Sequence, residues 1–142
     1  MKNQRKSVLR FAIFLLSLTF ILPAEAQSNQ QKLSFIIELI DQGLPSVAGE
    51  GITWNKATYK DGYIVFNYDS KETEFTIDDL NQYQDIFKQT FLEAFVSDMK
   101  SEPEFLKLLK EIKPGMKLEF KGLKTNKNIV LTITPQEFQK AL

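Results

Sequence analysis

The chain reads as an α+β domain, built as two helix–hairpin–helix units whose four strands form one antiparallel sheet with the helices packed on one face. Three observations predict it. Apolar residues recur at helical spacing in four stretches, apolar and polar residues alternate in two pairs of short runs joined by turns, and hydroxyl-led capping boxes stand where strands give way to helices.

The first helix is read from Leu33, Ile36, Ile37 and Ile40, an i, i+3, i+4, i+7 face ended by Gly43. A loop through Pro45 and Gly51 leads to a hairpin, Ile52–Tyr59 and Tyr63–Tyr68, around Asp61-Gly62, a dipeptide suited to a two-residue type I′ turn. Strict alternation from that turn sets Ala57, Tyr59, Ile64, Phe66 and Tyr68 on one face, with Asn55 opposite Tyr68. Trp54, Thr58, Tyr63 and Val65 then share the other face.

Thr76-Ile77-Asp78-Asp79 is a capping box that opens a helix predicted to run from Ile77 to Met99, with Phe87, Phe91 and Phe95 in its core stripe. Pro103 begins a shorter helix carrying Phe105, Leu108, Leu109 and Ile112, which ends at Lys113-Pro114-Gly115. Met116, Leu118 and Phe120 alternate with charged residues, and Ile129, Leu131 and Ile133 alternate after a turn, which predicts a second hairpin. Thr134-Pro135-Gln136-Glu137 then caps a terminal helix. The repeated order suggests an internal duplication of residues 27–99 and 100–142 within one domain, residues 27–142.

Residues 1–26 read as a cleavable signal peptide. Lys2, Arg5, Lys6 and Arg10 precede an apolar run from Phe11 to Leu22, and Ala24-Glu25-Ala26 offers a small-x-small cleavage site. The run is short for a membrane span, which needs roughly 20 residues. The expected location of the mature chain is periplasmic or secreted, with no stable membrane anchor after cleavage. The absence of cysteine removes a lipidated cysteine as an anchor and means the fold stands without disulfides.

Both arginines leave with the signal. The mature part holds 14 basic residues, all lysine, and 17 acids, so its net charge of −3 offers nucleic acid no global attraction. The lysines concentrate between residues 99 and 127 and the acids between 28 and 98.

The mature sequence lacks histidine, cysteine and arginine, which excludes Ser-His-Asp and Cys-His nucleophiles, zinc sites of the usual type and bidentate arginine clamps. No cofactor, metal site or catalytic residue is assigned, and the chain is not expected to be an enzyme. Ser97-Asp98-Met99-Lys100 matches the S-x-x-K pattern of penicillin-binding proteins and class A β-lactamases, but Lys124-Thr125-Asn126 lacks the glycine of the companion K-T-G, and Ser-Asp-Asn does not occur. The acids Asp69, Glu72, Glu74, Asp78 and Asp79 are the candidates for carboxylate catalysis or a calcium site. Asp78 and Asp79 are better explained as helix-start residues, and the calcium-loop spacing is missing.

The aromatic residues carry the positive signal. Trp54, Tyr63 and Val65, on one face of the first hairpin, are the candidate binding residues for a protein or glycan partner outside the cytoplasm. Lys113, Lys117, Lys121, Lys124 and Lys127 around the second hairpin could meet an anionic partner or simply form a solvated face that protects a sheet edge. The functional expectation is an exported binding or accessory domain of the bacterial envelope. The alternatives are a small carboxylate-dependent hydrolase and a structural subunit that buries its sheet face in a homodimer.

Overall fold

The computed structural model describes residues 28–142, so the signal segment lies outside the described residues. Helix α1 (Asn29–Gln42) leads into β1 (Ser46–Gly49), β2 (Ile52–Lys60) and β3 (Tyr63–Ser70). Three helices follow, α2 (Ile77–Gln82), α3 (Gln84–Met99) and α4 (Pro103–Ile112), before β4 (Gly115–Gly122), β5 (Asn128–Ile133) and α5 (Pro135–Ala141).

The α+β class holds, but the sheet differs from the one expected. It has five strands in the order β1-β2-β3-β4-β5, and β3 pairs with β4 in parallel, Tyr63 beside Gly115 and Ser70 beside Gly122. The additional strand, β1, is four residues long and pairs with β2, at the edge of the sheet among the described residues. The parallel pair has a simple cause. An antiparallel join can be made by a short loop, whereas the three helices between β3 and β4 give the chain the length to return to the end of the sheet where β3 began. The two units are also unequal, since α2 and α3 follow the first hairpin while the seven-residue α5 follows the second.

Local chemistry explains the boundaries. Ser28, Thr76 and Thr134 each accept the backbone N–H three residues on, while Gln31, Asp79 and Glu137 return a bond to the cap, so α1, α2 and α5 all begin in a complete capping box. Asp61 and Gly62 close the first hairpin with φ of 53° and 81°, as a type I′ turn requires. The helix predicted over 77–99 is broken at Tyr83, whose φ and ψ of −113° and 30° leave the helical range, so its two parts run at Ile77–Gln82 and Gln84–Met99.

One face of each long strand supplies the core. Ile64 and Phe66 of β3, Met116 and Leu118 of β4, and Leu131 and Ile133 of β5 are fully buried with Leu33 and Ile37 of α1, Phe91 and Phe95 of α3, Leu109 of α4 and Phe138 of α5. Aromatic contacts run through the layer, from Trp54 to Phe66 at 4.6 Å between ring centroids, and from Phe66 through Phe95 to Phe138. Tyr68 stacks on Phe120 at 4.8 Å, and burial pushes its phenol well above the ordinary 10.0. Apart from Gly115, which lies under the Tyr63 ring, the alternate residues of β2 to β5 are half-buried or exposed, so among the described residues the sheet keeps one face outward. No helix of the described residues is long and apolar enough to cross a membrane.

Candidate functional site

The outward face of the sheet is where Trp54, Tyr63 and Val65 were expected to meet, and the structure brings only two of them there. Trp54 is 2% exposed and lies in the core against Phe66 and Tyr68. The physical reason is a β-bulge. Pairing of β2 with β3 runs regularly from Lys60–Tyr63 back to Lys56–Asn67, then jumps to Trp54–Tyr68, so Asn55 is the extra residue and every side chain before it changes face.

Two hydrogen bonds fasten this bulge. The indole Nε1 of Trp54 donates to the carbonyl of Lys56 at 3.1 Å, and the backbone N–H of Ala57 donates to Asp41 Oδ1 of α1 at 2.8 Å. The buried indole is thereby satisfied within its own strand. Trp54 is therefore a core residue and is withdrawn from the candidate binding set.

Tyr63 and Val65 do share the outward face, both half-buried. The ring of Tyr63 lies across Gly115 of β4, where a Cβ would stand 2.4 Å from its Cε2, and Lys117 Nζ sits 4.6 Å from the ring centroid in a cation–π contact. Register fixes the neighbours. Thr58, Val65, Lys117 and Thr132 form one row across the sheet, Lys56, Asn67, Glu119 and Val130 the next, and Thr53, Asp69, Lys121 and Asn128 a third. Lys56, Lys60, Lys117 and Lys121 on this surface outnumber Asp69 and Glu119, so it carries a mild positive excess.

The candidate catalytic acids are dispersed among separate tasks. Asp69 stands on the outward face, Asp79 is spent in the α2 capping box, and Asp78 forms an ion pair with Lys127 at 2.9 Å. Glu74 is exposed. Glu72 is buried and held by the chain itself: its carboxylate accepts the N–H groups of Ile77, Lys124 and Thr125 and the Thr125 hydroxyl. Burial pushes this carboxyl up, but the bonds from Thr125, Ile77 and Lys124 together outweigh it and hold the group below its ordinary value. Such a carboxylate is a structural fastening, already saturated with donors. Among the described residues no group of three or more carboxylate, histidine or cysteine side chains is gathered as a metal site.

The remaining sequence candidates fall at the surface. Ser97 and Lys100 are exposed at the end of α3, with no hydrogen bond between them among the described residues. Of the lysines near the second hairpin, Lys117 and Lys121 belong to the outward face, Lys127 is paired with Asp78, and Lys113 and Lys124 lie exposed in the connections flanking β4.

No protein-family model matches this chain, and no curated protein matches it in sequence. Among solved structures it is similar to a Pseudomonas aeruginosa protein, provisionally described as secreted, whose crystal structure was determined at 1.60 Å. The two superpose with a TM-score of 0.54 over 80% of this chain and 99% of the other, at 13% sequence identity, so the likeness is one of fold.

Proposed function

We propose that the chain is an exported, non-enzymatic binding or accessory domain of the bacterial envelope, which recognises a protein or glycan through the outward face of its sheet. One observation carries this reading: among the described residues the core lies on one side of the sheet, and the other side presents a half-buried tyrosine and valine among lysines, threonines and asparagines. Amphipathic side chains on a rigid sheet give contact area at little entropic cost, and the lysine excess favours a partner surface of net negative charge. The dispersal of the acids into a cap, an ion pair and a saturated fastening speaks against the hydrolase alternative.

The test is recovery of a partner from envelope extract with the protein as bait, compared between wild type and a Tyr63→Ala, Lys117→Glu variant of unchanged melting temperature. A partner recovered by wild type and lost by the variant supports the reading. Equal recovery by both would move the interface elsewhere. Sedimentation of the purified protein as a dimer that the variant dissociates would favour the homodimer reading instead.

A further inference from the structure

At the turn end of the first hairpin, the exposed side of α1 and the end of β2 leave an open groove of about 470 Å³. Its size suits a small molecule. Tyr59 of β2 and Phe35 of α1, both half-buried, are the aromatic residues of its lining. The Tyr59 hydroxyl donates to Gln30 Oε1, which fixes both side chains, and partial burial pushes the Tyr59 phenol above its ordinary value.

The polar groups of the groove are sorted by the fold into donors and acceptors. Gln30 spends its oxygen on Tyr59, and Gln31 spends its oxygen on the N–H of Ser28 in the α1 capping box. Both carboxamide NH2 groups make no other hydrogen bond among the described residues, and both residues are exposed, so each is left as a donor to the groove. Glu38 and Asp61 supply carboxylate acceptors, and Ser34 a hydroxyl that can act as either.

We propose that this groove binds a neutral saccharide of one or two rings. A sugar presents vicinal hydroxyls that donate and accept together, and an apolar C–H face that lies on aromatic rings, which is the combination the groove offers. Charged ligands fit less well. An anion would meet Glu38 and Asp61, and a cation drawn to those carboxylates would meet Lys60 and leave the carboxamide donors and the aromatic lining unused. The groove is independent of the outward-face reading, because its aromatic lining is formed by α1 and by Tyr59, whose side chain lies on the core side of β2.

The experiment is a 15N–1H correlation titration of the protein with glucose, N-acetylglucosamine and cellobiose, with spermidine and citrate as charged controls. Saturable shifts of the Ser34, Glu38, Lys60 and Gly62 amides with at least one sugar are expected. Glu38→Ala and Gln30→Ala remove exposed side chains, so both should fold normally, and each should weaken that sugar by about tenfold, the effect of losing one good hydrogen bond. The proposal is overturned by the absence of saturable shifts with all three sugars, by tighter binding of spermidine or citrate, or by affinity that neither substitution changes. Sugar-induced shifts confined to Tyr63, Val65 and Lys117 would also overturn it while supporting the outward face.

Discussion

Glu72, at a left-handed φ of 59°, reaches Thr125, a residue 53 positions further along the chain, and accepts both its backbone N–H at 2.7 Å and its hydroxyl at 2.9 Å. The same carboxylate takes the Ile77 N–H at the start of α2, so one side chain joins the exit of β3, the first turn of α2 and the β4–β5 turn. The backbone conformation that few non-glycine residues adopt is held by what the side chain gains at its end.

Acid should loosen this junction. The folded-state pKa of Glu72 is lowered, so its contribution to stability is fully present above the ordinary value of 4.5 and is lost as pH falls through the lower folded value. Glu137 acts with the same sign, held down first by the Thr134 N–H and, among lesser causes, by Lys88. Urea midpoints measured from about pH 7 down to about pH 3 should fall for wild type and fall less steeply for Glu72→Gln, which starts lower. An identical acid slope in the two proteins would contradict the assignment.

Trp54→Ala should cost about 3–5 kcal/mol, the usual loss for a buried large aromatic side chain. Trp54→Phe keeps part of the packing and loses the bond to the Lys56 carbonyl, so a smaller cost is expected. Denaturant melts decide it, since a change within about 0.5 kcal/mol is the signature of an exposed position.

Gly122 faces the same junction, where a Cβ would lie 2.3 Å from Glu72 Oε1 and 2.7 Å from Ile77 Cγ1. Gly122→Ala should therefore destabilise the protein, and should do so less in a Glu72→Ala background. A double-mutant cycle measures the difference, and strict additivity would show that the two positions do not compete for space.

Lys88 of α3 donates to the Thr132 carbonyl on the edge strand β5 at 3.1 Å and pairs with Glu137 at 3.4 Å. Lys88→Met should leave that carbonyl open to another chain and raise concentration-dependent association, read by light scattering. Scattering unchanged from wild type would mean that β5 is protected by other means.

Much of the fold was legible because its signals are local. The i, i+3, i+4 face of α1, the Asp61-Gly62 turn and the capping boxes at Thr76 and Thr134 each involve residues a few positions apart, and all four appear as read. The parallel pairing of β3 with β4 depends on where three intervening helices bring the chain back, which no short window contains. The bulge was readable in principle. Ile52 and Trp54 fall at even positions and Ala57 and Tyr59 at odd ones, a phase slip between 54 and 57 that strict alternation passes over. Tyr63 and Val65 were placed correctly because they lie between the turn and the slip, and Trp54 was misplaced because it lies beyond it.

The parallel pairing of β3 with β4 also sets an order in time. Each hairpin brings together strands that are neighbours in the chain, whereas β3 and β4 meet only after α2, α3 and α4 have been made and gathered. Distant pairing of this kind is slow to form, because the entropy of closing the intervening segment is lost before the contacts repay it. Until β4 arrives, β3 has β2 on one side and an open edge on the other, so this late contact decides when the sheet is complete.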